Sequence, residues 1–171
     1  AVGVSGGKDS LLLLYALSLY RKFEHKNFEL RGIMLDMGFE AFDASPVMRW
    51  CEELNIPFDV IQTDIAKVVF DLRKEDNPCS LCAKMRRGAL NDAAKRLGCN
   101  KVALGHHRED AIETLMMSLI FEGRLHTFHP NMFLSGADVT VIRPMVYVPE
   151  KHVIHVAKRL NLPVVHNPCP M

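Results

Sequence analysis

The sequence has few of the features that mark membrane, secreted or strongly charged proteins. Its 21 basic and 20 acidic residues nearly cancel, so the formal net charge is only +1. The whole chain therefore gives no nucleic-acid signal, and any such site must be a local basic patch. The leucine run Leu11–Leu14 is far too short to span a membrane. No charged leader with an apolar stretch and a cleavage site is visible, so we expect a cytoplasmic protein without a membrane partner.

Cysteine is also scarce. The chain has five cysteines, an odd number without regular spacing, which argues against a secreted disulfide framework. We expect some of them to be reduced and others to bind metal. Cys51 and Cys99 occupy helical or helix-end settings, and we expect both to be ordinary packed residues. The chemically interesting cysteines are then Cys79, Cys82 and Cys169.

The remaining composition is that of an ordinary globular domain. With 49% hydrophobic and 24% charged residues, the 171-residue chain suits one domain over residues 1–171. Both ends look cut, so we expect the core of a longer protein. Short β-branched runs alternate with helical stretches, which predicts an α/β fold with a doubly wound, mostly parallel five-stranded sheet and helices on both faces.

Eleven elements are predicted from this alternation. The predicted strands are Ala1–Val4, Leu30–Leu35, Phe58–Gln62, Lys101–Leu104 and Val139–Ile142. The predicted helices are Asp9–Phe23, Ser45–Leu54, Ile65–Arg73, Ser80–Leu97, Glu109–Phe121 and Glu150–Leu160. Ligands bind such sheets at the carboxyl ends of the strands, near the point where the strand order reverses. The loops after the first and fourth strands are expected to meet there.

The loop after the first strand is rich in groups that bind phosphate. It reads Ser5-Gly6-Gly7-Lys8-Asp9-Ser10, directly before a helix. Its glycines permit positive φ and close backbone approach, and the helix start favours an anion. Lys8 adds a positive charge and the serines add hydroxyl donors. Asp9 next to phosphate implies a bridging Mg²⁺. The spacing is neither G-x-x-x-x-G-K-S nor G-x-G-x-x-G, which disfavours ordinary kinases, GTPases and dinucleotide oxidoreductases.

This hexapeptide resembles the S-G-G-x-D-S signature of the PP-loop ATP pyrophosphatase superfamily. The resemblance implies a Rossmann-like fold of the adenine nucleotide alpha hydrolase type. It also implies cleavage between the α and β phosphates, adenylation of a substrate, and pyrophosphate held by the loop. Asp36 and Met37 are then expected to contact adenine through their backbone, although Asp36 also suits a simple turn. A non-catalytic nucleotide sensor is disfavoured, because such modules lack this loop.

The cysteine motif offers three readings. Cys79 and Cys82 lie three residues apart at a predicted helix start, where they can face one metal and where thiol pKa values are lowered. With Cys169 they could hold an iron–sulfur cluster that has one open iron. With Cys169 and His166 they could form a structural zinc site. As a redox pair they could pass on a persulfide. Spacing alone leaves all three open.

Four motifs together resemble the tRNA 2-thiocytidine biosynthesis (TtcA-like) family. They are the PP-loop, the stretch P-C-S-L-C followed by Arg86 and Arg87, the stretch from Gly105 to Asp110, and I-R-P-M at Ile142–Met145. The resemblance implies thiolation of a tRNA cytidine with ATP, Mg²⁺ and a [4Fe-4S] cluster on Cys79, Cys82 and Cys169. ATP would adenylate the pyrimidine C2 oxygen before sulfur replaces it. A cysteine desulfurase as sulfur donor and a homodimer are further expectations.

The resemblance also assigns roles to individual residues. The residues expected to bind ATP are Ser5, Gly6, Gly7, Lys8, Asp9, Ser10, Asp36, Met37, Gly105 and His106. Those expected to take part in catalysis are Lys8, Asp9, Asp110, Cys79 and Cys169, with Asp9 and Asp110 on Mg²⁺. Arg86 and Arg87 are expected to contact tRNA, although a solvated helix face would also explain them. His107 more readily fits a surface or capping role.

The sequence departs from the family pattern at two places. Glu109 stands where the family often has aspartate, and the segment at Cys169 reads N-P-C-P rather than a cysteine-rich form. The alternatives are therefore a 2-thiouridine enzyme, a sulfurtransferase with another acceptor, and a lysidine synthetase-like ligase with structural zinc. The lysidine enzyme needs no cysteine pair, so Cys79 and Cys82 count against it.

Overall fold

The computed structural model describes residues 1–23, 27–74, 77–165 and 168–170. Its strands are β1 (Val2–Val4), β2 (Gly32–Asp36), β3 (Phe58–Gln62), β4 (Lys101–Ala103), β5 (Asn131–Leu134) and β6 (Val139–Ile142). Its α-helices are α1 (Lys8–Phe23), α2 (Ser45–Glu53), α3 (Pro78–Arg96), α4 (Arg108–Glu122) and α5 (Glu150–Arg159). Among the helices of these segments, none is both long and apolar enough to cross a membrane.

The strands form one sheet in the order β3-β2-β1-β4-β6-β5. All neighbours run parallel except β5 and β6, which are antiparallel. The order reverses between β1 and β4, so the carboxyl ends of these two strands flank the position where doubly wound sheets bind ligands. The predicted α/β fold is confirmed.

The predicted number of strands is wrong by one, because β5 was not recognised. β5 lies at the sheet edge, and three of its four residues are exposed. An edge strand with little burial lacks the alternation of polar and apolar residues that identifies most strands. It is joined to β6 by a short turn in which Asp138 has a positive φ of 53°.

The predicted helix Ile65–Arg73 is helical but not regular. Its segment Lys67–Arg73 forms a π-helix, and Lys74 ends it in the left-handed conformation with φ 47°. Val69 from this segment is fully buried and packs with Met37 and Ile65 in a small core cluster. Hydrophobic spacing does not distinguish these helix types over a single turn.

Two larger core clusters cover the two faces of the sheet. On one face the leucines of α1 pack with α2 and α5 around residues such as Val2 and Met34. On the other face Ala93 and Ala94 of α3 pack against Ile33 of β2 and residues of β4 and β6. Ile33 and Met34 are neighbours in β2 yet belong to different clusters, as expected when successive strand residues point to opposite faces. Helices therefore cover both faces, as predicted.

Candidate nucleotide and cysteine site

The loop after β1 is shaped by its own serines. Ser10 is buried, and its Oγ donates to the Gly7 carbonyl at 3.0 Å. The same Oγ accepts from the Ser5 N–H at 3.1 Å and lies 3.2 Å from Ser5 Oγ. Ser10 therefore uses its hydroxyl proton inside the loop, whereas Ser5 lies at the exposed side of the turn. Of the two glycines, only Gly6 has positive φ, at 83°.

The loop after β4 touches the start of α1. A Cβ on Gly105 would lie 2.9 Å from both the carbonyl carbon of Asp9 and the amide nitrogen of Ser10. These are backbone atoms and cannot rotate away, so only glycine permits this approach. The prediction that the two loops meet at one edge of the sheet is therefore confirmed.

Lys8 lies among carboxylates at this edge. Its Nζ is 3.0 Å from Asp9 Oδ1 and 3.1 Å from Glu150 Oε1 at the start of α5. Partial burial opposes the charge of Lys8, but hydrogen bonds to Asp9 and Glu150 outweigh it and raise its pKa above the ordinary value. Lys8 is therefore a cation whose charge is available to a phosphate. Asp9 Oδ1 is buried and has no hydrogen-bond donor with good geometry.

His107 lies in the middle of four carboxylates. It is buried, and its ring nitrogens lie within 4 Å of the carboxylate oxygens of four residues, at 3.9, 3.6, 3.4 and 3.7 Å from Asp9, Glu109, Asp110 and Glu150. Its backbone N–H donates to Asp110 Oδ2 at 2.7 Å, which caps α4. The capping role expected of His107 is confirmed, and its predicted surface position is wrong. Asp9 and Asp110 thus lie on two sides of one imidazole.

Glu109 and Glu150 join α4 to α5. Glu109 Oε2 accepts from the backbone N–H of Glu150 at 2.7 Å. The Arg108 guanidinium, together with this N–H, lowers the pKa of Glu109 to about 2. Glu150 is not predicted as a site residue from the sequence; there it is only the first residue of the predicted helix Glu150–Leu160. The contact with Lys8 is what identifies it.

Asp36 is placed as a turn residue. Its side chain accepts from the Gly38 N–H at 2.8 Å, and its carbonyl accepts from Thr63 Oγ1 at 2.8 Å. A cleft of about 540 Å³ lies beside it, lined by residues of β3 and by the approach to α2, including Phe42 and Ser45. Asp36 and Met37 follow β2, next to β1 in the sheet. Their backbone is therefore beside the phosphate loop, on the side away from β4.

Cys79 and Cys82 lie in the first turns of α3, which begins two residues earlier than predicted. Asn77 caps the helix by accepting from the Ser80 N–H at 3.3 Å. Cys79 is exposed and Cys82 is partly buried. Burial raises the pKa of the Cys82 thiol, and the charges of Cys169 and Cys79 raise it further while Arg86 lowers it. The expectation of a lowered pKa is therefore wrong for Cys82.

Cys169 acts on the cysteine pair although it is far away in sequence. The charges of Cys169 and Cys79 both raise the pKa of the Cys82 thiol. Upstream of Cys169, the Val165 N–H donates to the Gly6 carbonyl at 3.1 Å. A Cβ on Gly6 would lie 2.2 Å from Val165 Cγ2. Val165 therefore packs on the phosphate loop, and Cys169, four residues further along the chain, acts on Cys82.

The other two cysteines are packed residues, as predicted. Cys51 is fully buried in the larger core cluster, and burial raises its pKa to about 11. Cys99 packs on the second cluster. The zinc reading also required His166, which lies outside the described residues. Within the described segments, no group of three or more His, Cys, Asp and Glu side chains could hold a single metal ion as they stand.

A second cluster of side chains lies on the side of β4 that faces β6 in the sheet. Arg143 follows β6, and its Nε donates to His106 Nδ1 at 3.3 Å. The Arg143 Cζ lies 4.6 Å from the centroid of the Phe128 ring. Burial lowers the pKa of His106, and the charges of Arg143 and Arg87 lower it further, whereas Asp110 raises it. Arg86 and Arg87 both lie on α3; the charge of Arg86 acts on Cys82 and that of Arg87 on His106.

Comparison with known proteins identifies close relatives. The PP-loop domain family matches residues 1–169. The tRNA-cytidine(32) 2-sulfurtransferase of Citrifermentans bemidjiense is 38% identical over 100% of this chain and 68% of that protein. The enzyme of the same name from Geobacter sulfurreducens is 38% identical over 100% of this chain and 67% of that protein.

A solved structure gives a similar result. The U34-tRNA thiolase NcsA from Methanococcus maripaludis, with its [4Fe-4S] cluster, superposes with a TM-score of 0.80 and is 31% identical. The superposition covers 99% of this chain and 58% of the thiolase chain. This chain therefore spans about two thirds of the length of the sulfurtransferases and somewhat less of the thiolase.

Proposed function

The chain belongs to the PP-loop domain family and, within it, to the tRNA-cytidine(32) 2-sulfurtransferases, and on this basis we propose that it uses ATP to replace the C2 oxygen of a tRNA cytidine by sulfur. The observations that support the proposal are the hydrogen bond from the Val165 N–H to the Gly6 carbonyl of the phosphate loop and the charge of Cys169 acting on Cys82. We infer from them that an activating site and a sulfur site share one edge of the sheet. Because tRNA is the substrate, the reaction belongs in the cytoplasm.

The ATP half of the site performs the activation. We assign the phosphates to the loop Ser5–Ser10, with Gly105 and His106 opposite, and adenine to the backbone of Asp36 and Met37. The α-phosphorus bonds to the C2 oxygen of the cytidine while its bond to the pyrophosphate oxygen breaks. Lys8 holds the leaving pyrophosphate by charge. Sulfur then bonds to C2, the C2–O bond breaks, and AMP leaves with the oxygen.

Asp9 and Asp110 are the proposed carboxylates for a Mg²⁺ ion. Asp9 Oδ1 is buried 3.0 Å from Lys8 Nζ without a hydrogen bond of good geometry, and Asp110 lies on the other side of His107. Mg²⁺ commonly uses one or two carboxylates and completes its shell with substrate phosphates and water, so three protein ligands are not required. The ion would neutralise charge on the pyrophosphate as it leaves.

Cys79, Cys82 and Cys169 are the proposed ligands of an iron–sulfur cluster. The support is the U34-tRNA thiolase, which is 31% identical to this chain and holds a [4Fe-4S] cluster. Three thiolates suit a [4Fe-4S] cluster with one open iron. When bound, the cluster supplies a site for the sulfur that is inserted. A cysteine desulfurase is the proposed source of that sulfur.

The test is thiolation of a tRNA transcript by anaerobically reconstituted protein with ATP, Mg²⁺ and sulfide. Nucleoside mass spectrometry should find 2-thiocytidine with one AMP formed per sulfur. Cys169→Ala should abolish thiolation, whereas Cys99→Ala, at a packed cysteine outside the site, should retain it. Full activity in Cys169→Ala would exclude the three-cysteine site. Formation of 2-thiouridine would instead indicate that this chain acts as a thiouridine enzyme.

We also propose a homodimer formed through α4. This helix buries only Ser118, and its exposed apolar residues are Ile112, Met116, Met117, Leu119, Ile120 and Phe121. An exposed apolar surface formed by six side chains of one helix marks an interaction site. In a symmetric dimer, the two-fold axis places the same face of both subunits in contact. Light scattering should find a dimer that Ile120→Glu dissociates and Leu72→Glu, at another exposed apolar residue, leaves intact. A monomeric wild-type protein would contradict the proposal.

A further inference from the structure

Phe128 is an aromatic residue that the core does not use. It lies in the segment between α4 and β5, is only partly buried, and packs on none of the three core clusters. Its described ring contacts are with His106 and Arg143. The ring therefore lies outside the packed core of the domain.

His106 and Arg143 lie on the same side of the Phe128 ring. The His106 ring centroid lies 4.9 Å from the Phe128 centroid, and Arg143 Cζ lies 4.6 Å from it. If the two groups were on opposite faces, the ring would separate them. Yet Arg143 Nε and His106 Nδ1 are only 3.3 Å apart. Neither group therefore covers the second face of the ring.

Arg143 is fixed in this position by further hydrogen bonds. Its Nη1 donates to the carbonyl of His129 at 2.5 Å, and its backbone N–H donates to the carbonyl of Pro130 at 2.8 Å. The Thr127 hydroxyl donates to the carbonyl of Ala111 at 3.0 Å, which ties the same segment to α4. Arg143 is thus a fixed cation on one face of Phe128. The residues on either side of Phe128 in the chain are held by hydrogen bonds to α4 and to Arg143.

Two arginines act on the groups around Phe128. Burial lowers the pKa of both His106 and Arg143, and the charge of Arg87 on α3 lowers each further, whereas Asp110 raises the pKa of His106. Arg87 is exposed, so its guanidinium can contact a ligand. The cluster lies beyond β4, whereas Asp36 and Met37 lie on the other side of β1 in the sheet. A group bound at Phe128 therefore does not compete with adenine.

We propose that the face of Phe128 turned away from His106 and Arg143 is a stacking platform for an unpaired base of the tRNA substrate, with the exposed Arg87 on α3 for a nearby phosphate. The inference rests on the proposed function for its choice of RNA. Proteins recognise unpaired RNA bases by stacking them on aromatic rings and by pairing nearby phosphates with arginine. A rigid ring backed by a fixed cation needs no reordering when a base arrives.

The test separates stacking from packing by substitution at one position. The probe is an anticodon stem-loop RNA with a fluorescent cytidine analogue at position 32, titrated into the full chain. Phe128→Leu keeps an apolar side chain of similar size but has no ring, and it should weaken binding roughly ten-fold and remove the stacking-dependent fluorescence change. Phe128→Trp should restore both. Phe23→Ala, at an exposed phenylalanine on the last turn of α1, should change neither.

Two further measurements distinguish this inference from the proposed function. ATP binding, measured separately, should be the same in Phe128→Leu and the wild type. Weaker ATP binding by Phe128→Leu would indicate that the ring contacts adenine and would overturn the inference. A cytidine heptanucleotide is offered as a second probe. Binding of the heptanucleotide but not of tRNA would contradict tRNA as the substrate, and it would still support base stacking on Phe128. Equal RNA binding by Phe128→Leu and wild type would reject the platform, as would a wild-type protein that binds neither RNA.

Discussion

At the scale of single residues, the ATP site depends on the balance between Lys8 and the acidic groups around it. Lys8 forms ion pairs with Asp9 and Glu150. A phosphate therefore competes with carboxylates for Lys8, and Mg²⁺ relieves that competition by binding the carboxylates.

Replacing Lys8 tests this balance. Lys8→Met keeps the length of the side chain but removes the charge, so the loop loses its cation for the leaving pyrophosphate. We expect ATP–pyrophosphate exchange to fall on the order of 10²-fold. Lys151→Met, one residue after Glu150 and exposed, is the control and should change exchange little. An unchanged exchange rate in Lys8→Met would contradict the assigned role.

Glu109 gives a prediction about pH. Its pKa in the folded protein is about 2, against an ordinary value of 4.5. Since the folded-state pKa is lowered, the ionised carboxylate stabilises the fold above about pH 4.5, and this contribution is lost as pH falls from 4.5 towards 2. The free energy of unfolding, from urea titrations, should differ between wild type and Glu109→Gln at pH 6. That difference should shrink at pH 3, and a constant difference would be inconsistent with the ion pair.

At the scale of elements, the ATP site depends on how closely β4 approaches α1. Gly105→Ala would place a methyl group 2.9 Å from backbone atoms of Asp9 and Ser10. We expect it to lower the free energy of unfolding by about 1–3 kcal/mol and to weaken ATP binding, because the two loops must separate. Gly136→Ala, in an exposed turn with open space around the new methyl group, should change stability by less than about 0.5 kcal/mol. Thermal unfolding of the two variants, with and without ATP, provides the comparison.

Elements that pack on the sheet were predictable, and elements held by few buried residues were not. The helices and parallel strands follow from apolar spacing, and the switch point between β1 and β4 follows from their order. β5 escaped prediction because it is mostly exposed, and the π-helix because its spacing is that of an ordinary helix turn. Within the site, the motifs led to the loops and cysteines. Glu150, Val165 and Phe128 act through contacts distant in sequence, which no local pattern records.

At the scale of the whole molecule, a net charge of +1 means that any RNA binding must be local. The basic residues that could serve it lie on α3 and beyond β6, near the cysteines and Phe128. The opposite end of α1 is about 20 Å from the phosphate loop, given ~1.5 Å per residue. Basic side chains at that end of α1 therefore contribute little to the binding energy of a ligand near the phosphate loop.

Salt dependence measures this local character. We expect the slope of log K against log salt concentration for tRNA binding to become shallower by about 0.7 to 0.9 in Arg87→Ala, as one phosphate contact is lost. Lys22→Ala, at the exposed end of α1, should leave the slope unchanged. Equal slopes for Arg87→Ala and the wild type would mean that Arg87 faces solvent and makes no phosphate contact.

The contact between Gly6 and Val165 also has a consequence for synthesis on the ribosome. The phosphate loop emerges well before Val165, yet its Gly6 carbonyl receives a hydrogen bond from the Val165 N–H. Contacts that join distant parts of a chain form late, because the intervening chain must be ordered first. A nascent chain therefore gains this contact only after Val165 has emerged. The final shape of the phosphate loop is then set late in the folding of this domain.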